Sequence, residues 1–166
     1  MISKGCKLDW VSTNSVAISG EIDEYTDFSP LDRSAGQILY VDFANVTRLN
    51  SSGLRIWIQT IMKNKIQLVL RECSAVVVEQ FALIPQFIGK NCTVESFFAR
   101  YQCVSCFHEE LRRFQIGQNL DLSAPHIPEE LSEPCPECGD LVELDQSPEI
   151  YLSFTQYGNK AGPVAS

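Results

Sequence analysis

Ile38-Leu-Tyr-Val-Asp-Phe43 and Ile66-Gln-Leu-Val-Leu-Arg71 are nearly unbroken apolar runs, and the stretch between them carries an amphipathic helix. A strand that is apolar along its whole length is buried on both faces, as strands of parallel sheets are. Parallel neighbours cannot be joined by a tight hairpin. They need a crossover, and the intervening helix supplies one. Within it Leu54, Trp57, Ile58 and Ile61 fall at i, i+3, i+4 and i+7, with Arg55, Gln59 and Lys63 on the opposite side. Asn50 or Ser51 is placed to cap this helix, because a short side-chain oxygen accepts from the unpaired amides of a first turn. The chain reads as α/β from its centre outward.

The flanking segments extend the same pattern. Residues 7–12 and 15–22 read as two strands around a Thr13-Asn14 turn. Ser29 with Pro30 reads as a helix start, and Gly36 keeps that helix short. A second helix is expected from a Ser74 cap to Ile84, before Pro85, followed by a strand over 93–101. Crossovers at 38–71 and 66–98 then give a mixed sheet with helices packed against it. Asp42 is expected to cap the end of its strand by bonding to loop amides.

Charge divides the chain. Residues 1–102 hold ten Lys/Arg and ten Asp/Glu, so the whole formal charge of −8 falls within residues 103–166. The expected organisation is a domain over 1–101, an extension over 102–155 and a flexible tail over 156–166. In the extension, prolines punctuate an irregular connection over 119–134, and 141–144 with 150–154 are expected to pair as a small hairpin. No apolar run has the length of a signal peptide or a membrane span, so a cytoplasmic protein with reduced thiols is expected. Of seven cysteines, Cys6, Cys73 and Cys92 stand alone among apolar residues and read as buried structural thiols.

The other four form Cys103-Val-Ser-Cys106 and Cys135-Pro-Glu-Cys138-Gly139. Two residues between cysteines let both sulfurs of a tight turn face one ion, and two such turns complete a tetrahedral tetrathiolate suited to Zn²⁺. Pro136 stiffens the second turn, and Gly139 supplies conformational freedom after it. The 28 intervening residues exceed the usual spacing, and Phe107-His108 follows the first pair where glycine is common. Four thiolates leave no vacancy for His108 or His126. A closed site of this kind braces a fold and offers no position for a reacting water, which suits a small zinc-ribbon-like module.

The strand at 38–43 leads through Ala44-Asn-Val-Thr47 into Arg48-Leu-Asn-Ser-Ser-Gly-Leu54, a junction that sets two hydroxyls at a helix N-terminus. Unpaired amides and the helix dipole there favour an anion, so a phosphorylated serine would be stabilised; plain capping is the simpler alternative. Val41-Asp-Phe-Ala-Asn-Val-Thr47 followed by Leu49-Asn-Ser-Ser-Gly-Leu54 resembles the STAS domain of anti-sigma factor antagonists, over about residues 1–100. The resemblance implies a STAS-like mixed sheet with packed helices. It also implies a serine that a partner kinase phosphorylates to release a bound protein. The matching position is Ser51, with Ser52 beside it. The family's acidic residue before the serines is Asn50 here, which preserves capping and removes a negative charge.

No Gly-rich phosphate loop, Ser-His-Asp arrangement, HExxH or informative carboxylate pair occurs, so an enzyme is not expected. The expected function is a regulatory protein-binding module contacting a kinase or anti-sigma-like partner through Arg48, Asn50, Ser51, Ser52, Arg55 and Ile56. Ile56 lies off the apolar stripe and fits a partner contact or the flank of the core equally. The alternative is an unphosphorylated scaffold or accessory subunit of a transport or envelope complex. Nucleic-acid binding through the ribbon is opposed by its eleven carboxylates.

Overall fold

The computed structural model describes residues 5–84, 87–88, 91–120 and 133–156. The expected tail beyond 156 and most of the 119–134 connection lie outside them. The α/β expectation is met. A five-stranded sheet runs in the order β1 (Lys7–Ser12), β2 (Ser15–Ile22), β3 (Ile38–Leu49), β4 (Gln67–Arg71) and β5 (Cys92–Val94). β1 and β2 are antiparallel and the remaining pairs are parallel, so the sheet is mixed. The crossover helices are α1 (Ser51–Asn64) and α2 (Ala75–Leu83).

Local chemistry shifts several elements from their expected bounds. The segment at Ser29–Ser34 is a 3-10 helix entered from Phe28, while Asp27 Oδ1 accepts from the Ser29 amide at 2.9 Å. β3 continues six residues past Phe43, so Asp42 does not cap a strand end. Its register against β2 slips between the Ala17–Asp42 and Ser19–Asn45 pairs, and Asp42 Oδ1 takes the Ala44 amide at this bulge, at 2.8 Å. Ser74 is the residue preceding α2, yet its hydroxyl bonds the Val46 carbonyl at 2.9 Å and ties the helix to β3.

The strand expected over 93–101 is two strands in different sheets. Glu95 is the switch: its amide donates to Leu70 O in the first sheet at 2.8 Å, and its carbonyl accepts from Ile116 at 2.9 Å. Beyond it, β6 (Ser96–Cys103) is the centre of a second, antiparallel sheet in the order β7-β6-β8, with β7 at Glu109–Gln115 and β8 at Val142–Leu144. The expected 141–144/150–154 hairpin does not form. β8 pairs with β6, and Pro148–Tyr151 starts a short helix, α3, followed by a 3-10 turn at Ser153–Gln156.

One apolar core spans both sheets. Trp57 packs edge-on against Phe28 and Phe43, at 5.2 and 5.4 Å. Phe81 of α2 touches Phe87 at 5.0 Å and Phe154 at 5.4 Å, and Phe154 meets Phe97 of β6 at 5.2 Å. Each fully buried aromatic of this chain contributes roughly 2–3 kcal/mol of transfer free energy. Among the described residues no helix is long and apolar enough to cross a membrane.

Candidate metal centre and helix N-terminus

The four paired cysteines come together. Their sulfurs all lie within 4.8 Å of one another, with Cys103 and Cys138 at 3.5 Å and Cys106 and Cys135 at 3.6 Å. These separations are far beyond the roughly 2.05 Å of a disulfide, and all seven cysteines are free thiols. A metal with bonds of about 2.3 Å to four tetrahedral sulfurs would set them roughly 3.8 Å apart. The donor set therefore fits a metal ion. The long sequence gap between the pairs is bridged by pairing: Cys103 sits at the end of β6 opposite Val142 of β8, and Pro134 pairs with Leu141.

The two turns are built alike. In each, the amide two residues on faces the first cysteine's sulfur: Ser105 N to Cys103 Sγ at 3.5 Å, Glu137 N to Cys135 Sγ at 3.4 Å. In each, the amide four residues on bonds the first cysteine's carbonyl, Phe107 to Cys103 at 3.2 Å and Gly139 to Cys135 at 2.8 Å. The cysteine amides return bonds to His108 O and Asp140 O, both at 2.8 Å. Phe107 and Gly139 accordingly share a left-handed backbone, with φ of 62° and 81°. The missing glycine after the first pair therefore leaves the turn intact; Phe107 adopts the glycine conformation. Val104 N donates to Leu141 O at 3.1 Å and Ser105 Oγ to Asp140, cross-bracing the turns.

Amides aimed at a sulfur favour its thiolate. The Cys106 and Ser105 backbone groups hold the Cys103 thiol down to about 6, which readies it as a ligand. Cys103 stands apart in this: Cys106 and Cys138 of the same cluster are raised, and burial pushes the isolated Cys6 up to about 11 and pushes Cys73 and Cys92 up as well. Cys73 and Cys92 are fully buried, and Cys6 half so. His108 is partly buried beside Glu110 at 3.9 Å and is not one of the clustered ligands; His126 lies outside the described residues.

The serine junction is organised by Asn50. Its Oδ1 accepts from Gly53 N at 2.8 Å, capping α1, while its Nδ2 donates to Glu24 Oε2 at 2.8 Å. Asn50 N also donates to Ile22 O at 3.0 Å, pinning the helix start to the end of β2. Since Asn50 caps, neither serine is needed for it. Ser51 and Ser52 are exposed in the first turn; Arg48 near the end of β3 and Arg55 further along α1 are exposed too, while Ile56 is partly buried against the core. Arg48 lies 3.9 Å from Glu21. Glu21, Asp23, Glu24, Arg48 and Asn50 ring a cavity of about 190 Å³. Sequence reading missed Glu24, whose approach to Asn50 depends on how the β2 end folds over α1.

No known family model, curated protein or solved structure matches the chain.

Proposed function

We propose that this chain is a non-enzymatic, STAS-like regulatory protein-binding module of the cytoplasm, switched by phosphorylation of Ser51 and braced by a structural zinc. The observation that carries the reading is the exposed Ser51–Ser52 pair in the first turn of a 14-residue helix whose cap is already filled by Asn50. A phosphate on Ser51 would meet the positive end of α1 and add nearly two negative charges beside Glu24 and Glu21. That change repels an acidic contact on a kinase or anti-sigma-like partner while leaving the fold unstrained. The acidic residue that Asn50 replaces has a spatial substitute in Glu24, one hydrogen bond away. Phosphopeptide mass spectrometry of protein from native cells, with Ser51→Ala as control, tests this; a chain never modified at Ser51 in any growth condition argues against the switch.

Zinc is the metal we assign to Cys103, Cys106, Cys135 and Cys138, because an all-thiolate tetrahedral set selects a soft or borderline ion. Bound there it would tie the β6–β7 and β8 turns together and hold no exchangeable water. Elemental analysis is expected to find about one zinc per chain, lost in the Cys135→Ser, Cys138→Ser double variant. A metal-free native protein overturns the assignment. The second reading, an unswitched scaffold, is favoured by the neutral Asn50. A phosphomimetic Ser51→Asp that preserves every interaction would select it.

A further inference from the structure

We propose that β1 is an interface between two copies of this chain, which pair edge to edge about a two-fold axis at Leu8 and join their sheets into one. β1 ends the five-stranded sheet, and among the described residues no strand pairs with its outer side. The opposite edge, β5, is three residues long, whereas β1 is six. An open edge offers a row of backbone donors and acceptors to any extended chain, and soluble proteins blunt it with proline, an inward-pointing charge, shortness or a bulge. β1 has no proline, and its two charged side chains, Lys7 and Asp9, are 72% and 55% exposed. Its irregularity falls between Trp10 and Ser12, which leaves the stretch from Cys6 to Trp10 straight and open.

The side chains of that stretch select a second copy as the occupant. Cys6, Leu8 and Trp10 are partly buried against the core, while Lys7 and Asp9 are exposed on the other face. Residues directly opposite in a sheet share a face, so only registers that set even positions against even and odd against odd continue both rows. An axis on Lys7 opposes two lysines, and an axis on Asp9 opposes two aspartates, both unfavourable. An axis on Cys6 or Trp10 leaves the charges without an opposite partner. The axis on Leu8 sets Lys7 of each copy against Asp9 of the other, Leu8 against Leu8, and Cys6 against Trp10. Within one chain Lys7 Nζ already lies 3.4 Å from Asp9 Oδ1. Pairing turns two such exposed pairs into one ring of four alternating charges. The strand is complementary to itself, which is the condition for an isologous dimer. Ser51 takes no part in this interface, so the inference stands apart from the phosphorylation reading.

Sedimentation and amide exchange of the purified full chain test it. Wild type is expected to pass from monomer to dimer, and no further, as concentration rises, with amide exchange over residues 6–10 slowing in step. Lys7→Asp and Asp9→Lys each set like charges opposite one another across the axis. Both are expected to stay monomeric where wild type is dimeric, with unchanged circular dichroism. An equimolar mixture of the two sets two carboxylates against two ammonium groups, so it is expected to form a 1:1 dimer. The Lys7→Asp, Asp9→Lys double variant exchanges the charges and is expected to dimerise like wild type, a recovery that an axis on either charged position forbids. A wild type that stays monomeric leaves the edge to a strand of another protein and overturns the proposal. So does a dimer whose residues 6–10 exchange as in the monomer, a single variant that dimerises like wild type, or a mixture or double variant that fails to pair.

Discussion

Arg113 of β7 grips the Glu72 carboxylate just beyond β4, its Nε lying 2.8 and 2.9 Å from the two oxygens and its Nη2 donating to one of them. This pair links the two sheets where Cys73 bridges Phe97, and Ser96 Oγ adds a bond to the Glu72 amide at 2.8 Å. Arg113 holds the Glu72 carboxyl below its ordinary range. A lowered carboxyl stabilises the fold above its unfolded-state value, near 4.3, and that contribution is lost as pH falls through the lower folded-state value. Glu72→Gln is expected to cost about 1 kcal/mol at neutral pH and to flatten the acid side of the stability profile, measured by urea denaturation. Parallel profiles for both proteins below pH ~5 would contradict the linkage.

Gly53 admits no side chain. A Cβ there would stand 2.6 Å from Asp23 N and from the Ile22 carbonyl atoms, backbone that cannot yield without parting α1 from β2. Gly53→Ala is expected to destabilise by more than about 2 kcal/mol in thermal melts. A tolerated alanine would mean that α1 does not enter so close to β2.

Asn50 serves two masters, and only a neutral amide can do so. Its oxygen caps α1 while its NH₂ holds Glu24, keeping that carboxyl below its ordinary value. Asn50→Asp keeps the cap and sets two carboxylates together. The expected result is a loss of stability at neutral pH in wild type that disappears in a Glu24→Gln background, read as a double-mutant cycle. Additive effects would separate the two residues.

The matched turns make opposite predictions for equivalent positions. Gly139→Ala meets no atom within 4 Å, so its expected cost of about 1 kcal/mol is purely conformational. Phe107→Gly relieves the same strain and is expected to be neutral or mildly stabilising in the thermal midpoint. A strong loss in Phe107→Gly would show that the ring packs within its own chain.

Features set by residues close in sequence were legible in advance. The α1 stripe, its Asn50 cap and the two cysteine turns each depend on spacings of two to four positions. What escaped reading was decided at long range. Ser96–Cys103 looks like a continuation of Cys92–Val94, and only the hydrogen bonds of Glu95 to Leu70 and Ile116 assign them to different sheets. β7 (Glu109–Gln115) carries the charged pairs Glu109-Glu110 and Arg112-Arg113 around an exposed Leu111, with Phe114 its buried residue, so its pattern carries little apolar signal. The apparent hairpin at 150–154 failed because Tyr151 and Phe154 find aromatic neighbours in Phe97 and Phe81.

The measurement closest to the regulatory reading compares wild type, Ser51→Ala and Ser51→Asp as baits in quantitative pull-downs from native lysate. The account predicts one specific protein partner held equally by wild type and Ser51→Ala and released by Ser51→Asp, with all three baits equally folded and metal-loaded. The same partners held by all three, or none held by any, would contradict it.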